Sequence, residues 1–317
     1  EVLFEEELGE EFGGDGGHYE RSPMYHAQIV EWLLDMVNFS LPIPRLNETL
    51  RWLSLMSVGD RTAQLNDTAI DDMRPTSDLF SYARSLDINI DQRVEAGIQV
   101  LAGSNIARLS HGPFDLIMDG GGMVPYQPGH LHAGALSFEL FYEGRPVIVD
   151  PGCGTYLPGE LRRYQRSTAA HNTATVDGAD QQELWGAFRV ARRGIFSPLM
   201  IDGATLIGTV RGYTGYTHER RLTLDARSVQ VIDTLWHPGH HRAEVRYHCA
   251  PGSAIALSGG TATLNETIQL AVENGAMVLN DEPFSDGFNR VRTHPVLSCA
   301  FDFTDYIEIR SKIITMP

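Results

Sequence analysis

His130-Leu131-His132-Ala133-Gly134-Ala135-Leu136-Ser137-Phe138-Glu139-Leu140, then Val149-Asp150-Pro151-Gly152, then Ser167-Thr168-Ala169-Ala170-His171-Asn172-Thr173: this broken stretch decides how the chain reads. Its apolar runs are short, β-rich and punctuated by glycine. His130, His132, Asp150 and His171 each stand beside one of them. Only a folded β-scaffold can bring residues so widely spaced together. Side chains alternate along a strand, so a His-x-His pair turns both rings to one face. One ring can then face a cleft while the other binds metal. The set reads as metal ligands with a general base beside them; the alternative is a group of polar residues satisfied without metal.

Outward from this stretch the texture is β toward the C-terminus. Strands are expected at 136–142, 146–149, 173–176, 206–210, 221–224, 229–235 and 261–270, with turns at Glu143-Gly144 and Asp177-Gly178. Many short strands with such turns indicate an antiparallel sandwich. Toward the N-terminus the pattern is helical. Ile29, Trp32, Leu33, Met36 and Val37 recur at helical spacing, as do Leu50, Trp52, Leu53 and Leu55, with Pro42 and Pro44 between the two groups. A third helix is expected over 78–86 with Ser77 as its cap, and a fourth over 92–102. The expected architecture is α+β and multidomain, with helices in 1–110 and a large antiparallel β-sandwich in 111–317.

The 317 residues suffice for two domains and a large core. A formal net charge of −16 argues against nucleic acid or an anionic membrane as partner. No run approaches the length of a membrane-spanning helix. Residues 1–11 are acidic, lack the features of a signal peptide and do not begin with Met, so the polypeptide reads as a mature product or a piece of a longer one. The compartment stays open between periplasm and cytoplasm of a bacterium. Lys312 is the only lysine, and Arg supplies 24 of the 25 basic residues. That reads first as coding bias and second as selection for bidentate carboxylate binding. Cys153, Cys249 and Cys299 form no CxxC pair and are expected as buried free thiols. Four further histidines, His237, His240, His241 and His248, fit no compact metal motif and flank a turn at Pro238-Gly239. Asn66-Asp67 reads as a helix cap.

The word order resembles the heparinase II/III-like polysaccharide lyases. It does so over Asp15-Gly16-Gly17-His18-Tyr19-Glu20-Arg21-Ser22-Pro23-Met24-Tyr25-His26, over the stretch quoted first, and over Asp177-Gly178-Ala179-Asp180-Gln181-Gln182-Glu183-Leu184-Trp185-Gly186-Ala187-Phe188-Arg189. The resemblance implies an N-terminal α/α-toroid before the sandwich, with the active site between them. The family toroid carries a catalytic Asn or His well upstream of the tyrosine motif. Only 24 residues precede Tyr25 here, so the helices read as the last of an incomplete toroid.

The resemblance also assigns roles. Such lyases cleave beside a uronic acid by β-elimination, which requires a neutralised carboxylate, a base for the C5 proton and an acid for the leaving oxygen. Tyr25 matches the family tyrosine, as general acid or, for one sugar stereochemistry, as base. His130 matches the catalytic histidine of the β-domain. His132, Asp150 and His171 match its metal ligands, which implies a structural Zn2+. Tyr156 fits the second tyrosine, and Tyr164 lies near it. Arg162, Arg166 and Arg189 are candidates for binding carboxylate or sulfate, or else pair with Glu160, Asp180 and Glu183. Asn172 is a candidate support for the His171 ring. The implied partner is an acidic polysaccharide, heparan-like, alginate-like or an exopolysaccharide. Two other readings stay open: a non-catalytic carbohydrate-binding fragment, and a metal-dependent hydrolase on the same sandwich.

Overall fold

The structure, a computed structural model, describes residues 2–122 and 128–316. Helices α1 (Val2–Glu11), α2 (Pro23–Asn38), α3 (Leu46–Leu55) and α4 (Thr76–Ser85) come first. The spacing read over Leu50, Trp52, Leu53 and Leu55 is buried. On α2 the buried face is Val30, Leu33 and Leu34, which pack with Leu50 and Leu53 of α3 and with Leu79, Phe80 and Ala83 of α4, while Ile29, Met36 and Val37 are half-buried and Trp32 is exposed. Ser22 caps α2 through its side chain, and Pro23 opens the first turn, where a missing N–H costs nothing. α4 begins at Thr76 with Pro75 in the cap position, so Ser77 lies inside the first turn and does not cap.

The expected fourth helix is instead strand Gly97–Leu101, paired with Ile106–His111. Gly97 takes φ +112°, which interrupts a helix, and Ile98 and Val100 pack against the sandwich core. This strand opens a five-stranded antiparallel meander, so the sheet begins before residue 110. The meander continues through Phe114–Asp119, Phe138–Tyr142 and Arg145–Ile148. Facing it, among the described residues, is an eleven-stranded sheet built on two long paired strands, Ser228–His248 and Arg290–Thr315. Leu109, Leu116, Phe138 and Leu140 of the first sheet share one buried cluster with Leu206, Val210, Leu222 and Val231 of the second. Two sheets closing on one core make a sandwich, and the fold is helices followed by an antiparallel β-sandwich.

Two local readings change. The 261–270 run is a hairpin of Thr261–Leu264 and Ile268–Val272, turned by Asn265 and Glu266 at positive φ. Pro238-Gly239 is a bulge within one continuous strand, because pairing with Thr304 and Asp305 carries the strand through it.

The core also contains charge. Asp233, fully buried, accepts from His218 Nε2 at 2.7 Å and from Arg220 Nε at 2.7 Å. Arg220 then donates to Leu136 O at 2.7 Å and to Asn172 O. That holds Leu136 at φ +64° and ties together the two loops that present His132 and His171. No helix among the described residues is long and apolar enough to cross a membrane.

Candidate active site

Tyr25 sits in the first turn of α2, and the residues before it fix where that turn lies. Asp15 accepts from Gly17 N at 3.0 Å and Ser104 N at 2.7 Å, binding the glycine-rich loop to the meander. Arg21, at φ +59°, pairs with buried Asp119 and donates to Ser104 O. His26 accepts from His18 N at 3.3 Å and donates through Nε2 to Thr49 O at 3.0 Å. Tyr25 thus projects from the helical part onto the sandwich. Its hydroxyl lies 2.6 Å from that of Tyr156, and its ring meets the His130 ring at 4.6 Å. Burial raises both phenols, Tyr156 strongly, so both are protonated at neutral pH.

The hub beneath this cluster is Asp67, a residue the sequence reading made a helix cap. Its carboxylate is fully buried and accepts from His130 Nδ1 at 3.0 Å, His132 Nε2 at 2.7 Å and both Nη atoms of Arg162, Nη2 at 2.8 Å. Burial would raise its pKa, but hydrogen bonds from His130, His132 and Arg162 outweigh it and hold the carboxyl well below the usual range. A carboxylate can only accept, so both histidines carry their proton on the nitrogen facing Asp67. His130 Nε2 lies 3.6 Å from Glu20. His132 Nδ1 is left buried and unpartnered, and burial pushes this imidazole down to about 4. Asn66, at φ +55°, accepts from His132 N at 3.0 Å and donates to Arg21 O at 3.0 Å.

His171 donates through Nδ1 to Asp150 at 2.6 Å, and its Nε2 is buried without a partner. The His132 and His171 rings lie 5.3 Å apart. The His171 ring lies so close to Gly134 that a Cβ there would stand 2.9 Å from the imidazole. Gly152, at φ +71°, lets the Asp150-Pro151-Gly152 turn approach Ser285 O, which would lie 2.5 Å from an added Cβ. Among the described residues no three His, Cys, Asp or Glu side chains converge on one point to hold a metal. The donor types are ones zinc accepts: two buried imidazoles, each with an unpartnered nitrogen and a carboxylate on the other, that of His171 being Asp150.

The other candidates separate. Arg162 and Arg166 are each 1% exposed, with their guanidinium groups engaged inside the protein. Arg162 is held by Asp67 and donates to Ala187 O at 3.0 Å, while Arg166 donates to the carbonyls of Leu131, Gly186 and Arg189. Arg189 is exposed and stacks on Trp185 at 4.6 Å. Tyr156 packs on Phe188 at 5.4 Å under the Arg162 guanidinium. Tyr164 turns away to donate to Glu282 at 2.7 Å. Asn172 does not reach the His171 ring; it donates to Phe138 O and Val149 O and accepts from His248 N, joining three segments of the sandwich. Cys153, Cys249 and Cys299 are free and buried. In the sequence Asp67 reads only as a helix cap and Phe188 only as part of the matched 177–189 stretch, because only the tertiary fold sets them against His130.

Comparison with solved structures finds the same architecture. The chain superposes on the heparinase III BT4657 gene product at TM-score 0.78 and 17% identity, covering 99% of this chain and 55% of that one. Heparan sulfate lyase HepC from Pedobacter heparinus gives TM-score 0.78 at 14% identity, with the same coverage. A crystal structure of heparinase III gives 0.76 at 15%, covering 98% of this chain and 56% of that one. The chain thus spans about 55% of the length of these structures, and at such identities the likeness is one of fold. Comparison with curated protein sequences finds no match. A sequence profile described as heparinase II/III-like, C-terminal, matches residues 94–306. With two thirds of its length inside that profile, the chain belongs to the heparinase II/III-like family.

Proposed function

We propose that the Tyr25, His130 and Tyr156 cluster performs proton transfer in a polysaccharide lyase that cleaves uronic-acid polymers by β-elimination. The observation that carries this reading is the 2.6 Å contact of the Tyr25 and Tyr156 hydroxyls beside the His130 ring, where the helical part meets the sandwich. His130 Nε2, oriented by Asp67, takes the C5 proton; the C–H electron pair forms the C4–C5 double bond and the C4–O bond breaks. Tyr25, kept protonated by burial, gives its proton to the leaving oxygen. The Tyr156 hydroxyl then donates to the Tyr25 phenolate. Arg162, engaged by Asp67, is not available to neutralise the substrate carboxylate.

His132, Asp150 and His171 are the residues proposed to hold zinc. When bound, it supplies a fixed positive charge that braces the loops under His130, and the two unpartnered ring nitrogens support this. Heparan sulfate-like polymers are the favoured substrate class, since a lyase acting on heparan sulfate shares the fold. Alginate-like polymers are the second class.

The test is absorbance of the unsaturated uronate across a panel of acidic polysaccharides, with the chain and with Tyr25→Phe. A rise that Tyr25→Phe removes, by a factor of about 10² or more, supports elimination. New reducing ends without absorbance would favour a hydrolase. Polymer binding without either product would favour a non-catalytic carbohydrate-binding protein.

A further inference from the structure

Leu184–Trp185 and Arg189–Val190 form a two-stranded hairpin that belongs to neither sheet of the sandwich. Such a ribbon has no core of its own, and here its turn is held from below. Arg162 donates to Ala187 O, and Arg166 to Gly186 O and Arg189 O, so two buried guanidinium groups fix the carbonyls of the turn. One side of the turn presents Phe188 to the active cluster, 5.4 Å from Tyr156 and 6.0 Å from His130. On the strands, Trp185 and Arg189 are directly opposed in register. Trp185 is 54% exposed, and the Arg189 guanidinium lies over its ring. Among the described residues no carboxylate stands within ion-pair distance of Arg189, whereas Arg162 and Arg192 are neutralised by Asp67 and Glu183.

We infer that this hairpin is a binding subsite for an anionic pyranose unit flanking the one that reacts. It rests on the proposed lyase site for its place along the polymer, but not for its chemistry. The apolar C–H face of a pyranose lies flat on the indole face opposite the guanidinium, and the planar guanidinium meets a carboxylate or sulfate with two hydrogen bonds. In a chain of net charge −16, a polyanion gains nothing from the overall field, so an unpaired arginine beside an exposed aromatic is where it can be held. The buried arginines are thereby positioning residues for the subsite.

Binding is measured by calorimetry in a Tyr25→Phe background, which removes turnover, with a heparan sulfate hexasaccharide, its desulfated form and its carboxyl-reduced form. Trp185→Ala and Arg189→Ala should each weaken binding by about tenfold, and Trp32→Ala, an exposed tryptophan on α2, should leave it unchanged. Whichever anionic group Arg189 contacts, removing it from the sugar should abolish the effect of Arg189→Ala. Both hairpin variants should melt as the parent does, since the changed side chains are exposed. Unchanged affinity in both, equal loss in Trp32→Ala, or no binding by the parent overturns the subsite. Elimination is read separately with Tyr25 intact. Absence of product with Trp185-dependent binding retained overturns the lyase reading and leaves the subsite standing. Product formation with unchanged affinity and KM in the hairpin variants does the reverse.

Discussion

A fully buried carboxylate keeps its charge only when donors surround it, and Asp67 has Arg162 and two histidines around it. Asp67→Asn replaces two acceptors with one acceptor and a donor among four N–H groups, and leaves Arg162 buried without its counter-charge. The expected outcome is a loss of about 3–5 kcal/mol in thermal or urea unfolding. Of the variant that remains folded, turnover should fall about 10–100-fold, as it does when a group orienting a functional histidine is removed. Parent-like stability in Asp67→Asn would show that the carboxylate is not the hub. A second residue sets acid stability. His26 is fully buried and burial lowers it to about 3, while an unfolded histidine titrates near 6.5. Between those values the unfolded chain binds more protons than the folded one, so stability falls as pH drops below about 6.5. The contribution of one such histidine approaches about 1.4 kcal/mol per pH unit. His26→Gln, which preserves an acceptor and a donor, should flatten the loss in melting temperature between pH 7 and pH 4.5. A slope equal to that of the parent would count against this assignment.

At the level of elements, the positions legible in the sequence are those whose neighbours are local. Leu206 and Val210 alternate as a strand must when one face is buried, and Leu50, Trp52, Leu53 and Leu55 recur as a helix must. The readings that fail depend on a partner outside the segment itself. Residues 97–101 are a strand because Ile106–His111 is there to pair, and Pro238-Gly239 is a bulge because Thr304 and Asp305 continue the ladder. The same holds for Arg162 and Arg166: residue type suggested anion binding, and only the fold shows Asp67 and the hairpin carbonyls beside them. The loops bearing His132, Asp150 and His171 offer an element-scale test. As prepared without chelator, the chain should contain close to one zinc per molecule by elemental analysis. Prolonged EDTA treatment should lower its melting temperature by roughly 5–10 °C, and added zinc should restore it. His171→Ala should melt low with or without EDTA. A chain that holds no metal and melts identically in EDTA would leave the unpartnered nitrogens of His132 and His171 as a cost of the fold.

For the whole molecule, charge and fold pull in different directions. The sandwich and the Tyr25 cluster point toward an acidic polymer, yet the chain carries a net charge of −16. The arginines grouped in sequence do not make a basic cleft: Arg162 is neutralised by Asp67, Arg192 by Glu183, and Arg166 is buried against carbonyls. Long-range forces therefore repel the proposed substrate, and short-range contacts at Arg189 and the hydroxyl cluster must hold it. Salt separates the two ranges. The screening length is about 30 Å at 10 mM salt and about 8 Å at 150 mM, so added salt removes the distant repulsion before it weakens contacts at hydrogen-bond distance. The association rate of a heparan sulfate oligosaccharide, followed by stopped-flow fluorescence, should rise severalfold over that interval, the reverse of a protein steered by a basic surface. Arg189→Ala should raise the dissociation rate and leave this salt dependence of association in place. An association rate that falls as salt is added would mean that a positive field reaches the polymer first, and would move the search for its source away from the residues around Asp67.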